Sequence, residues 1–171
     1  MKKRHTFLFF IFSLCSATAL MALPADADTQ YSDAAAGFDI QIPEGFEKIP
    51  SKQEQHALLL RSGSGFPTFN VLKQPGNLQD QGNACKAILD DYRKVGITDA
   101  KLKKTFPLHS ATSKETRNIC ELSFTNQKQL VTAWVSVIDS RDKHFILTYM
   151  DSSEGSWTKT PETLFETFAL K

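Results

Sequence analysis

Alternating apolar and polar residues predict β-strands along most of the chain. In the first predicted strand Phe38, Ile40 and Ile42 point to one side, and Pro43 ends the pattern. The predicted strands cover residues 38–42, 56–61, 68–72, 97–109, 117–125, 129–138 and 143–150. Short polar turns join the last three strands, which indicates an antiparallel meander.

The segment 97–109 has the features of a strand at the edge of a sheet. We expect Leu102, Phe106 and Leu108 to lie on one side of it. Pro107 has no N–H to donate to a neighbouring strand, so one side of this strand should remain unpaired.

Helical spacing replaces alternation in two places. In residues 80–95 the apolar side chains fall within an arc of about 120°, which predicts a helix with one face toward the core. The residues in that arc are Cys85, Ile88, Leu89, Tyr92 and Val95. Gly96 follows and suits the left-handed position at which helices often end.

A shorter helix is predicted near the C-terminus. Thr160 can cap it and Pro161 fits its first helical position. Leu164, Phe165 and Phe168 then supply the side that packs against the rest of the protein. The order of strands, helix, meander and terminal helix predicts the α+β class: a twisted antiparallel sheet with a central helix and a C-terminal helix packed on it.

Residues 1–27 are typical of a cleaved secretory signal peptide. Lys2, Lys3 and Arg4 precede an apolar stretch, and small residues at Ala25 and Ala27 suit signal peptidase. A retained anchor and a lipoprotein modified at Cys15 are the alternatives. Leu14 argues against the lipoprotein, because that processing favours a small residue before the cysteine. We therefore expect a protein of the periplasm or a secreted protein.

Cleavage would leave residues 28–171, a suitable length for a single α+β domain. Residues 28–37 are small and polar and predict a flexible entry. The leader holds three of the 20 basic and one of the 19 acidic residues, so the mature net charge is −1. This balance gives no support to a nucleic-acid partner, and no stable membrane anchor is expected after cleavage.

Two cysteines, Cys85 and Cys120, remain in the mature chain. The helical pattern points Cys85 toward the core, and the strand pattern places Cys120 on the same face as Leu122 and Phe124. In an oxidising compartment such a pair predicts a disulfide, worth about 3–4 kcal/mol through loop closure. The alternative is two separate buried thiols.

The segment from Tyr31-Ser32-Asp33 through the run 37–46, GFDIQIPEGF, resembles the opening of PsbP-like domains. The shared features are a tyrosine, an aromatic-led strand, a proline–glycine turn and a further aromatic residue. The resemblance covers roughly residues 31–171 and implies an α+β fold whose members act by binding rather than by catalysis. It supplies no catalytic residue. The short leader differs from the long transit peptides of plant members.

Candidate catalytic residues are sparse. Gly63-Ser64-Gly65 lacks the spacing of a nucleophile elbow and is better explained as a hairpin turn. The histidines of the mature chain, His56, His109 and His144, lie far apart and match no metal-binding motif. A Cys120–His144 nucleophile pair would need a reduced thiol. We expect no enzyme activity, metal or cofactor.

Two surface features are candidates for binding. Lys101, Lys103 and Lys104 either protect a sheet edge or dock an acidic partner. Trp134 either lines an apolar groove with Ile138, or packs beneath the terminal helix with Trp157 or Phe165.

These observations favour a non-enzymatic exported protein that binds or stabilises another protein of the cell envelope. A carrier of a small lipid or peptide in an apolar groove is the alternative. A secreted hydrolase ranks third.

Overall fold

The computed structural model describes residues 28–63, 65–76, 84–140, 142–152 and 157–171. The strands are β1 (Thr29–Asp33), β2 (Phe38–Ile42), β3 (Phe46–Lys48), β4 (His56–Ser62), β5 (Thr68–Pro75), β6 (Lys101–His109), β7 (Thr116–Asn126), β8 (Gln129–Asp139), β9 (Lys143–Asp151) and β10 (Ala169–Leu170). The helices are α1 (Ala84–Lys94) and α2 (Lys159–Thr167). The predicted leader, with Cys15, lies outside the described residues.

A seven-stranded antiparallel sheet forms the centre of the fold, in the order β3-β4-β5-β9-β8-β7-β6. A small sheet of order β1-β2-β10 lies beside it, so the predicted α+β class is confirmed. The strands β7, β8 and β9 form the predicted meander. Their first turn contains Gln127 and Lys128, both with positive φ, as the type I′ form of a two-residue hairpin loop requires.

The large sheet is apolar on both faces. On the α2 side, Trp134 and Leu147 pack with Phe165 and with Phe38 of β2. On the opposite side, Leu122 and Val135 join a smaller core beneath α1. Because side chains alternate along a strand, β8 contributes to both cores and is buried from Val131 to Ser136.

The free edge at β6 is confirmed, but its facing pattern differs from the prediction. A β-bulge between Leu102 and Lys104 adds one residue to the strand. Leu102 therefore lies opposite Leu122 on the α1 side, whereas Phe106 lies opposite Ile119 on the α2 side. The expectation that Leu102 and Phe106 share a face is wrong, because a period of two cannot reveal an inserted residue.

Both helices differ from the predictions at an end. The predicted start of α1 at residue 80 lies outside the described residues. At its other end the helix stops at Lys94, and Val95, predicted to face the core, is 75% exposed. The helix α2 starts at Lys159 with Thr158 as N-cap, so Thr160 lies inside the first turn. The packing of Phe165 and Phe168 is confirmed, since both are fully buried.

The small sheet was not predicted in full. Residues 28–37, expected to be a flexible entry, contain β1, which pairs with β2 through partners such as Tyr31 and Ile40. Leu170 of β10 pairs with Phe38 on the other side of β2. Neither helix in the described ranges is long and apolar enough to cross a membrane.

Candidate functional site

An open groove lies on the α1 side of the sheet, where α1 leaves strands β5 and β9 uncovered. We call it the α1 groove; its volume is about 300 Å³. Its wall consists of Ile88, Asp91, Tyr92 and Val95, and its floor of Asn70, Leu72, Gln74, Val135, Ile146, Thr148 and Met150. The wall residues recur at helical spacing and the floor residues alternate along their strands, so both periodicities converge on one surface.

The end of α1 fixes the position of Val95 at the mouth of the groove. Gly96 has φ +95° and donates its N–H to the Arg93 carbonyl, and Ile97 donates to Tyr92. This Schellman arrangement requires a residue that tolerates positive φ, which Gly96 provides. Val95 is 75% exposed as a result, the largest exposed fraction among the large hydrophobic residues described.

The floor of the α1 groove is mainly apolar with a few polar groups. Leu72, Ile146 and Met150 are half-buried, so each still presents apolar surface to solvent. Among the described residues the buried Asn70 Oδ1 has no hydrogen-bond partner. Burial raises the pKa of the Tyr92 phenol to about 12, so this wall residue stays neutral in ordinary buffers.

A disulfide attaches α1 to the sheet. Cys85 in the first turn of α1 is bonded to Cys120 of β7, with the two Cα atoms 5.5 Å apart. The predicted disulfide is therefore confirmed. The hydroxyl of Thr105 on β6 donates to Cys85 Sγ at 3.5 Å. The wall of the α1 groove is thus covalently held at one end.

Trp134 lies in the α2-side core. It is fully buried, its Nε1 donates to Glu121 Oε2 at 3.0 Å, and its ring centroid is 6.0 Å from that of Trp157. Trp157 in turn contacts Phe165 of α2. The prediction that Trp134 packs beneath the terminal helix is confirmed. Its assignment to an exposed binding surface is corrected, because α2 and Trp157 cover it.

The three candidate lysines lie together on the free edge of the sheet. Lys101, Lys103 and Lys104 are all exposed on β6, and Lys103 occupies the bulge. The ammonium of Lys104 is 3.2 Å from a carboxylate oxygen of Glu121. Their role in docking a partner stays a prediction.

The remaining candidate residues have local partners. The His144 imidazole is buried, with Nδ1 2.7 Å from the Gly76 carbonyl oxygen and Nε2 3.1 Å from Gln74 Oε1. His56 contacts Ser51, and His109 contacts Thr116. Within the described ranges, no cluster of His, Cys, Asp and Glu could hold a metal ion.

The fold has clear counterparts among solved structures, although no protein-family profile and no curated protein sequence matches the chain. The solution structure of cyanobacterial PsbP (CyanoP) from Synechocystis sp. PCC 6803 matches with a TM-score of 0.62, 14% identity, and coverage of 84% of this chain and 92% of that one. A crystal structure from Bacteroides thetaiotaomicron matches with a TM-score of 0.54 and 14% identity, again over 84% of this chain but only 48% of that one. The chain has a PsbP-like fold.

The sequence-based predictions did not include the α1 groove; the apolar groove that they considered lay beside Trp134, on the other face of the sheet. A usable signal was present. Val131, Ala133, Val135 and Val137 form a second apolar face of β8, and one short helix is too narrow to cover such a face across a whole sheet.

Proposed function

We propose that this protein is a non-enzymatic, exported protein that binds another protein of the cell envelope through the α1 groove. The observation that carries the proposal is the apolar surface left open there: Val95 is 75% exposed above the half-buried Ile146 and Met150. Covering a large apolar side chain is worth about 1.5–3 kcal/mol, so one or two apolar side chains from a partner would find a favourable site.

The dimensions of the α1 groove favour a protein partner over a carried small molecule. Its volume of about 300 Å³ is at the lower limit of small-molecule pockets, and the cavity is open along one side. An open, preformed site suits side chains that project from a larger partner. The disulfide at Cys85 supports this use, because a fixed wall reduces the ordering needed on binding.

Other features of the chain fit the proposal. The signal-like residues 1–27 and the Cys85–Cys120 bond are compatible with an oxidising, exported location. On the free edge of the sheet, the exposed Lys101 and Lys103 would attract acidic groups of a partner. The PsbP-like fold agrees with a binding role.

Site-specific photo-crosslinking in cells tests the proposal. A photoreactive amino acid at Val95 should crosslink one defined envelope protein, whereas the same amino acid at the exposed Lys52, away from the groove, should not. Adding Ile146→Glu should abolish the Val95 crosslink, because a carboxylate would enter the apolar floor.

Three results would count against the proposal. A lack of any protein crosslink at Val95 would contradict it. A co-purified lipid or free peptide found by native mass spectrometry would favour the carrier alternative. Esterase or peptidase activity that is lost in His144→Ala would favour a hydrolase.

A further inference from the structure

The cores on the two sides of the large sheet differ in size and in the side chains that pack them. The α2-side core contains the large buried aromatic residues, including Trp134, Phe69 and Phe145, together with Phe165 and Phe168. The α1-side core is smaller and depends on α1 to cover Leu122 and its neighbours. Removal of α1 would therefore leave most of the apolar core in place.

The helix α1 has few attachments of its own. It is 11 residues long; Ala84 and Ile88 are buried, and Cys85, Leu89 and Tyr92 are partly buried. Helices of this length are marginal in isolation, so their docking depends on tertiary contacts. For α1 these contacts are the packing of Ile88, Leu89 and Tyr92 in the α1-side core, where Tyr92 packs edge-to-face on Phe124, and the Cys85–Cys120 bond.

We propose that this disulfide is a redox switch for the α1 groove: its reduction releases α1 from the sheet and removes the wall of the groove while the α2 side stays folded. The biological consequence rests on the proposed function, since the groove is taken to be the binding site. The structural change does not depend on that function.

The exposure of the two sulfurs determines which of them a reductant attacks in thiol–disulfide exchange. A thiolate of a dithiol reductant attacks Sγ of the half-buried Cys85, because Cys120 is only 1% exposed. The Cys85–Cys120 bond breaks and Cys120 leaves as a thiolate that takes up a proton. The second thiol of the reductant then displaces Cys85, which leaves two protein thiols and one oxidised, cyclic disulfide of the reductant.

Hydrogen exchange on the mature protein, with and without dithiothreitol, tests the structural part. Amides of residues 84–94 should exchange at least about a hundredfold faster after reduction, while those of β8 and α2 should change by less than about threefold. Fluorescence of Trp134 and Trp157 should stay constant, because both lie on the α2 side. In a Cys85→Ser/Cys120→Ser variant, residues 84–94 should exchange as fast as in the reduced protein, with or without dithiothreitol.

The outcomes separate the switch from the proposed function. Unchanged exchange in α1, or faster exchange throughout the protein, would overturn the switch and leave crosslinking of the oxidised protein at Val95 unaffected. Release of α1 with an undiminished Val95 crosslink would also overturn it. Failure of the oxidised protein to crosslink at Val95 would instead refute the proposed function.

Discussion

Replacing Arg117 with methionine removes a buried cation that holds the C-terminal end of α2 to the sheet. The guanidinium of Arg117, on β7, donates to the carbonyl oxygens of Phe165 and, at 2.6 Å, of Phe168. Arg117 is 5% exposed, and burial lowers its pKa. Carbonyls at the end of a helix have no intrahelical donor, so Arg117 supplies one that water cannot easily replace here.

The size of the effect follows from two opposing contributions. Each carbonyl left without a donor in a buried place costs about 1–3 kcal/mol. Removal of the buried charge recovers part of this loss, because the guanidinium no longer has to be desolvated. We expect Arg117→Met to lower the free energy of unfolding by about 2–4 kcal/mol. Arg117→Lys should lower the free energy of unfolding by about half as much, because one ammonium group replaces the planar guanidinium whose nitrogens reach both carbonyls.

Urea unfolding followed by tryptophan fluorescence measures this loss directly. Trp157 lies 5.7 Å from Phe165, ring to ring, so the signal reports on the end of α2. Arg61→Met is the matched control, because Arg61 pairs with Glu47 at 2.8 Å while remaining 41% exposed. Such exposed pairs contribute under about 1 kcal/mol. If Arg117→Met lost no more stability than Arg61→Met, the two carbonyls would have another source of hydrogen bonds and the reasoning would fail.

Three other predictions concern separate parts of the chain. Burial raises the pKa of the Tyr92 phenol from 10.0 to about 12. The contribution of the neutral phenol to folding stability is therefore complete below pH 10 and is lost as the pH rises toward 12. Over that pH range the free energy of unfolding, measured by urea titration, should therefore fall about 2–3 kcal/mol less in Tyr92→Phe than in the wild type. An equal fall in both proteins would contradict the effect of burial. Gln127 and Lys128 are both at positive φ, so their replacement with Asn-Gly should stabilise the protein by about 1 kcal/mol. The melting temperature should rise accordingly, and no rise would contradict the prediction. Intact-mass measurement of exported protein should find a chain that begins near Asp28 and lacks two hydrogens before reduction; an intact Met1 would exclude cleavage.

The sequence predicted most strands because their alternation is unambiguous. Phe38 and Ile40 of β2, and Cys120 and Leu122 of β7, are buried on the faces that their spacing indicates. The disulfide followed from two such patterns, one helical and one extended. These parts depend on local periodicity, which a single sequence records directly.

The predictions were wrong where contacts between distant parts of the chain, rather than local spacing, determine the structure. Val95 belongs to the apolar arc of α1 by spacing, yet no strand side chain covers it at the end of the helix. Leu102 changed face because the bulge at Lys103 adds one residue, which alternation cannot reveal. The strand β10 has only two residues, too few to produce a pattern at all.

The location of the α1 groove follows from the geometry of the sheet. Seven strands about 4.8 Å apart extend over roughly 29 Å, whereas a helix with its side chains is about 10–12 Å across. Contacts of Cys85 with Cys120 and of Tyr92 with Phe124 place α1 along β7, so it cannot also cover β5 and β9. Leu72 and Ile146 therefore lie on the part of the sheet that no described helix covers. Ile146 packs partly against the α1-side core, yet both side chains remain half-buried and keep apolar surface open to solvent. The partner proposed above would cover that surface.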